Sequence, residues 1–195
     1  MEGPLDSSTR PFAVITGASR GIGFEIARLL AADGYDLMIA SEDAELEGAR
    51  EELSRSTSVE AVRVDLARSE GVESFHESIV ADGRPVDALV LNTGIGAGGS
   101  FAGGTELGQE MEIINLNVKS TVHLCKLQVQ AMVSRDRGRI LFTSSVASPL
   151  PGSHQAVYRA STSFVRSFAL ALKEELSDTG VSVTTLIPDP EGEPK

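Results

Sequence analysis

The sequence predicts an α/β fold, a doubly wound parallel sheet of about six strands with helices on both faces. Three observations carry this. Short apolar runs alternate with amphipathic helical patterns from Phe12 to Ile187. Those runs lack the two-residue alternation of a half-exposed strand, so both of their faces must be covered. The first run passes into the first helix through three glycines, in Val14-Ile-Thr-Gly-Ala-Ser-Arg-Gly-Ile-Gly23.

Taken in order, residues 1–10 are polar and without periodicity, and are expected to form a mobile arm before a single domain spanning 11–195. Phe12 to Ile15 read as a buried strand, and Ile22, Ile26, Leu29 and Leu30 recur at helical spacing just after the glycines. Gly34 closes that helix, Tyr35 to Ala40 form a second strand, and Asp43 to Ser54 a helix with Leu46, Ala49 and Leu53 on one face. Val59 to Val64 are a third strand, followed by a helix over Ser69 to Ala81 with Val72, Phe75 and Ile79 inward. Pro85 introduces the fourth strand, Val86 to Leu91. A glycine-rich loop, Gly94 to Gly104, then leads into a helical pattern from Glu106 to Ser134 that is long enough to bury more than one side. Gly138 to Thr143 are a fifth strand, Ala156 to Ser177 a long helix with Phe164, Phe168 and Leu172 inward, and Val181 to Ile187 a sixth strand.

At 195 residues and 41% apolar composition the chain fits one globular domain. A net charge of −11 with no basic block excludes nucleic acid or an anionic membrane surface as main partner. No apolar run approaches the roughly 18 residues of a membrane span, and the polar opening is unlike a secretory signal. The single cysteine, Cys125, cannot form an internal disulfide, and a cytoplasmic location is expected.

Glycines 17, 21 and 23 sit where a strand turns tightly into a helix. There the unpaired N–H groups of the first helical turn and the helix dipole favour a pyrophosphate, and side chains larger than hydrogen would hold it away. A purely structural tight turn would use the same residues. In a doubly wound sheet a ligand lies across the carboxyl ends of the strands, so the residues just after each strand are candidates: Ser41, Glu42 and Asp43, then Asp65-Leu66, Asn92-Thr-Gly94 and Ser144-Ser145. A carboxylate after the second strand would accept bonds from an adenine ribose and repel a 2′-phosphate. Polar residues also follow strands simply because loops are exposed.

Thr16-Gly-Ala-Ser-Arg-Gly-Ile-Gly23, Asp65-Leu66, Asn92-Thr-Gly94, Asn117, Ser145 and Tyr158 stand in an order and at intervals that resemble the short-chain dehydrogenase/reductase family, over Pro11 to Pro190. The resemblance implies a Rossmann-type domain with strand order 3-2-1-4-5-6 and bound NAD(H) or NADP(H). It also implies hydride transfer with an alcohol or carbonyl substrate, and a homodimer or homotetramer built through the two long helices. Gly17, Gly21 and Gly23 match the family's phosphate loop, with Ser19, Arg20 and Ile22 between them; Ser19 and Arg20 would contact phosphate or ribose oxygens, and Ser41 would lie at the adenine ribose. Asp65 matches the carboxylate that holds the adenine amino group, with Leu66 beside it. Asn92 and Gly94 match two positions of Asn-Asn-Ala-Gly, this chain reading Leu91-Asn-Thr-Gly. Asn117 aligns with the asparagine that kinks the long helix and holds a relay water; Asn115 is its rival. Ser145 lies thirteen positions before Tyr158, the family's interval between its substrate-orienting serine and catalytic tyrosine, and Pro188 matches the proline that approaches the nicotinamide carboxamide.

The chain departs from this pattern where the family has Tyr-x-x-x-Lys and this sequence reads Tyr158-Arg-Ala-Ser-Thr162. A cation beside a phenol lowers its pKa, and each unit lost removes about 1.4 kcal/mol, or tenfold in rate. Its loss could therefore cost two or three orders of magnitude. Thr162 keeps a hydroxyl that could bond a ribose. Pro188-Asp-Pro190 replaces the family's Pro-Gly, and the sequence ends at Lys195 before the family's substrate-covering segment, so the seventh strand is expected to be missing. Arg20 favours a 2′-phosphate and Glu42 disfavours it, which tilts the cofactor weakly toward NAD(H) rather than NADP(H). An oxidoreductase with an impaired site heads the functional expectations. A catalytically inactive binding or regulatory protein and a lyase or isomerase on the same scaffold are the alternatives.

Overall fold

The first apolar run, Phe12–Thr16, is strand β1, and all of its residues are buried. Helices cover both of its faces, which is why it shows no alternation. It pairs in parallel with β2 (Asp36–Ser41) on one side and β4 (Val86–Leu91) on the other. Beyond β2 lies β3 (Val59–Arg63), and beyond β4 lie β5 (Gly138–Thr143) and β6 (Val181–Leu186). The order is β3-β2-β1-β4-β5-β6, as the resemblance implied. Because the order reverses between β1 and β4, their carboxyl ends open onto a crevice. The computed structural model describes residues 10–96, 98–145 and 153–188, so the arm expected for 1–9, Asp189 and the tail lie outside the described residues.

Helices α1 (Gly21–Ala32) and α2 (Leu46–Leu53) cover one face of the sheet. The other face packs on α3 (Ser69–Asp82), α5 (Ser120–Ser134) and α6 (Ala156–Glu175). The inward positions predicted for α2 and α3 are all buried. Two predicted faces require correction. In α1 the buried residues are Gly23, Ala27 and Ala31, while Ile22 and Leu29 are exposed. Small side chains let this helix lie close to β1, while Phe24, Ile26 and Leu30 are partly buried against the same core and Ile22 lines the crevice. In α6 the buried face is Ser161, Thr162, Val165 and Ala169, whereas Phe164 is exposed and stacks on Phe168. Phe168 and Leu172 are partly buried against the core as predicted, Phe168 edge-on to Phe142 of β5 at 5.6 Å, so Phe164 is the residue that departs from the inward face.

The long helical pattern from Glu106 is divided. Helix α4 (Leu107–Ile113) begins with a capping box between Glu106 and Gln109 and runs into a π-helical stretch, Ile114–Lys119, before α5. Such a widened turn inserts one residue per turn and re-aims the side chains within it. Here it turns Asn117 inward, to 5% exposure.

At the amino ends of the strands, away from the crevice, the buried carboxylate of Asp36 accepts hydrogen bonds from Arg84 Nη1 at 2.7 Å and Thr57 Oγ1 at 2.8 Å. Arg10 approaches the same group at 3.7 Å, so this residue of the expected arm is tied to the sheet. The Arg84 guanidinium also stacks 4.3 Å above the Phe12 ring. Burial pushes the Cys125 thiol up to about 12, which keeps it protonated and unreactive near neutral pH. Among the described residues no helix is long and apolar enough to cross a membrane, and no side-chain cluster has the makings of a metal site.

Candidate dinucleotide site

The connection from β1 to α1 is stitched to the connection that follows β4. Thr16 Oγ1 accepts the backbone N–H groups of Asn92 and Thr93 at 3.1 and 3.2 Å, and Asn92 Nδ2 donates to the carbonyl of Gly17 at 3.1 Å. This closeness explains two of the three glycines better than ligand access does. Gly17 adopts a left-handed φ of 65°, and a Cβ on it would press on the Thr93 backbone. A Cβ on Gly23 would overlap the Gly17 carbonyl and Asn92 Nδ2. Gly17 and Gly23 are thus required by the protein's own packing, the structural alternative that the sequence left open beside phosphate approach. Gly21, with φ 59° and nothing near its missing Cβ, opens the first turn of α1, which has no side-chain cap. The unpaired amides of such an uncapped turn and the helix dipole are suited to an anion.

The crevice encloses about 700 Å³. Of the sequence-predicted residues, Ser19, Arg20 and Ser41 line one end with Glu42 and Asp43. Gly17, Ile22, Leu66, Asn92 and Gly94 line its middle part, and Asn117, Ser145, Tyr158, Thr162 and Pro188 complete it beyond β4. Gly21, Gly23 and Asp65 do not line it. Asp65 requires correction. Its carboxylate accepts the Ala67 N–H at 2.9 Å and pairs with Arg68 at 3.1 Å, so it closes the β3–α3 turn instead of reaching into the crevice; only Leu66 does so.

Asp43, one of the carboxylates that the sequence offered after the second strand for an adenine ribose, is the better built acid. One of its oxygens accepts the hydroxyls of Ser19 and Ser41 at 2.8 and 2.9 Å. Burial pushes its carboxyl up, but these hydrogen bonds, Arg20 and the Glu45 amide more than offset this and hold it below the ordinary carboxylate range. Asp43 is therefore charged near neutral pH. Arg20 is largely exposed and lies 3.4 Å from Glu45.

At the far end, Asn117 is pinned. Its Oδ1 accepts the Ile95 N–H at 2.9 Å, and its Nδ2 donates to the Ile95 carbonyl at 2.9 Å and to Ser161 Oγ at 3.0 Å. The side chain is thereby committed to fixing the loop after β4 against α6. Ser144 Oγ donates to the Thr162 carbonyl at 3.0 Å and is buried, and both Ser144 and Ser145 line the crevice. Tyr158, half-buried in the first turn of α6, lies against Gly96, where a Cβ would stand 3.3 Å from the ring. Thr162, one turn on, lines the crevice but donates its hydroxyl to the Arg159 carbonyl at 3.0 Å. Among the described residues lining the crevice, Arg20 is the one lysine or arginine, and it sits at the opposite end from Tyr158.

Three buried side-chain oxygens in the crevice, Asp43 Oδ1, Thr93 Oγ1 and Thr143 Oγ1, have no protein partner. Buried polar atoms are rarely left so, and these are an acid of the kind that accepts ribose hydroxyls and two hydroxyls at the carboxyl ends of β4 and β5, where a dinucleotide lies in such a sheet. The residues present fit NAD(P). Sequence reasoning missed Thr93 and Thr143; the usable signal was their place at strand ends beside matched positions.

A doubly wound parallel sheet with an uncapped helix start at its switch point, beside a crevice with unpartnered polar atoms in its lining, is the architecture of a dinucleotide-binding α/β protein. A family model described as short chain dehydrogenase matches residues 11–190, and the chain belongs to that family. It is 30% identical over 176 residues to the NADP-dependent 3-hydroxy acid dehydrogenase YdfG of Salmonella typhi, covering 90% of this chain and 70% of that protein. It is 32% identical over 178 residues to a very-long-chain 3-oxoacyl-CoA reductase of Phaeosphaeria nodorum, covering 88% of this chain but only 52% of that one. Among solved structures, a metagenomic short-chain oxidoreductase in complex with NADP superposes with a TM-score of 0.86 at 30% identity, over 94% of this chain and 84% of that one. A short-chain dehydrogenase from Sphingobium yanoikuyae in complex with NADPH gives 0.85 at 29% identity, over 91% and 70%. These relatives do not support the tilt toward NAD(H).

Proposed function

We propose that this chain is an NAD(P)-dependent oxidoreductase acting on an alcohol or carbonyl compound, with Tyr158 as its acid/base group. The observation that carries this reading is the convergence of Tyr158 and Ser145 on the same crevice as the uncapped start of α1. When bound, the nicotinamide supplies or accepts the hydride. The first turn of α1 binds the pyrophosphate, and Thr93, Thr143 and Pro188 line the path toward Tyr158. Ser145 donates to the substrate oxygen and orients it. The Tyr158 hydroxyl gives that oxygen a proton in reduction and takes it back in oxidation. Asn117 acts through Ile95 and Ser161, holding the loop against which Tyr158 rests. Thr162 occupies the position of the family's lysine.

Thr162 also favours a second reading, a dinucleotide-binding protein without useful turnover, because no cation stands beside Tyr158 among the described lining residues. One substitution separates the two. In an impaired enzyme Thr162→Lys is expected to raise Tyr158-dependent oxidation of NAD(P)H by about two orders of magnitude, because a restored charge lowers the phenol pKa. Unchanged absence of turnover across a carbonyl panel, with dinucleotide binding intact in calorimetry, supports the binding protein.

Cofactor choice turns on the β2 end of the crevice. The NADP-dependent relative and the NADP complexes favour a 2′-phosphate, Arg20 can meet one, and the charged Asp43 opposes it. Asp43→Asn is expected to shift the ratio of NADP to NAD affinity by about tenfold toward NADP, roughly the 1.4 kcal/mol that one screened charge contact contributes. An unchanged ratio by calorimetry would remove Asp43 from the ribose site.

Self-association completes the reading. A groove between α5 and α6 is lined by Val122, Val129, Phe168 and Leu172, and Phe164 and Leu170 on α6 are exposed. A second copy packed there would cover them, giving a homodimer or homotetramer in light scattering; a monomer at micromolar concentration would contradict it. A cytoplasmic location agrees with the unpaired cysteine.

A further inference from the structure

Arg63 ends β3 directly beside Ser41, its parallel partner at the end of β2. Alternation puts it on the sheet face of Val59 and Ala61, which pack toward α1 and α2. Its Nε donates to the Glu42 carbonyl at 2.9 Å, so the exposed side chain is held across the exit of β2. Ser41, Glu42 and Asp43 line the crevice there, and Arg63 stands at their rim without lining it. The guanidinium fork carries further N–H donors on Nη1 and Nη2. Among the described residues these have no acceptor, and no carboxylate pairs with Arg63. The arginines nearby are engaged, Arg20 with Glu45 at 3.4 Å and Arg68 with Asp65 at 3.1 Å.

We infer that Arg63 reads the 2′ position of the adenine ribose: it holds a 2′-phosphate and so lets the crevice take NADP(H). The inference rests on the dinucleotide-binding part of the proposed function and adds a residue from outside the crevice lining. A ribose whose hydroxyls meet Asp43 is held one residue from the carbonyl that Arg63 grips. A phosphate on that ribose is repelled by the charged Asp43. Arg63 supplies the offsetting charge, and its planar fork matches phosphate oxygens. Arg20 is less available, because a phosphate would compete with its contact to Glu45. With a 2′-hydroxyl in place, nothing is asked of Arg63.

The test is calorimetric titration of the full chain with NADP⁺ and with NAD⁺, without substrate, so that binding alone is read. Arg63→Gln is the informative variant. Glutamine Nε2 stands as far along the side chain as arginine Nε and keeps a donor for the Glu42 carbonyl, while the charged fork is gone. The variant is expected to weaken NADP⁺ about tenfold and to leave NAD⁺ within about twofold. Added sodium chloride is expected to lower NADP⁺ affinity more steeply in the unaltered chain than in the variant, since an exposed charge contact is screened. Unchanged NADP⁺ affinity in the variant, an equal loss for both dinucleotides, or binding of NAD⁺ alone by the unaltered chain overturns the inference. Where NAD⁺ binds too weakly to titrate, parallel salt slopes in chain and variant overturn it. Failure of both dinucleotides to bind overturns the dinucleotide-binding reading itself, and this inference falls with it.

Discussion

Tyr158→Phe is expected to lower carbonyl-dependent oxidation of NAD(P)H by about 10²–10⁴-fold, the range that a positioned acid/base group contributes, while leaving dinucleotide affinity unchanged. The two readouts separate because the ring and the hydroxyl do different work. The ring packs against Gly96 in the loop that Asn117 clamps, and phenylalanine preserves that packing. The hydroxyl is removed from the side of the crevice where Ser145 stands, so only the proton exchange at the substrate oxygen is lost. Steady-state rates with a panel of neutral aldehydes and ketones, beside calorimetry with the dinucleotide, provide the measurement. Equal turnover in the variant and the unaltered chain would remove Tyr158 from the chemistry and leave the family membership standing without its usual acid.

Asp36→Ala is expected to cost about 3 kcal/mol of stability, the low end for breaking a buried ion pair, and to lower the midpoint of thermal unfolding by about 10 °C in a chain of this size. The carboxylate is 2% exposed and holds Arg84, Thr57 and Arg10 together. Removing it leaves part of the Arg84 guanidinium without its partner; the Thr57 hydroxyl keeps the Tyr35 carbonyl at 2.7 Å and Arg84 keeps Asp82 at 2.8 Å, which limits the loss. Because this network lies at the amino ends of the strands, dinucleotide affinity in the folded variant should be unaltered. A stability loss below about 1 kcal/mol in urea unfolding would place Asp36 with surface ion pairs instead.

The two predictions address opposite ends of one sheet, and the difference in how they were found is instructive. Tyr158, Ser145 and the glycine turn were legible because each is tied to a short, local pattern: a residue type at a fixed interval from a strand end or a helix start. Asp36 was not, since it opens β2 and its partners come from 21 and 48 residues further along the chain. Among the acids at strand ends, the sequence did not choose between Asp43 and Asp65, for the same reason. Asp65 follows a strand and matches a family position, yet its carboxylate closes a local turn with Ala67 and Arg68. Asp43 follows another strand and is drawn into the crevice by Ser19, a residue of the first loop. Which of two acids faces a ligand depends on neighbours supplied by other loops, and no local spacing encodes them.

By itself the sequence determined the α/β class, the boundaries of the strands to within a residue or so, the family, and the small set of positions at strand ends from which a site must be drawn, because apolar periodicity and glycine turns are local and repeat along the chain. Only the tertiary structure decided that Gly17 and Gly23 serve loop-to-loop packing, that a π-helical stretch turns Asn117 onto Ile95 and Ser161, that Thr93 and Thr143 leave unpaired oxygens in the crevice, and that the charged groups among its described lining residues gather at the β2 end. Each of those is a contact between segments far apart in sequence, fixed by how the strands are ordered in the sheet.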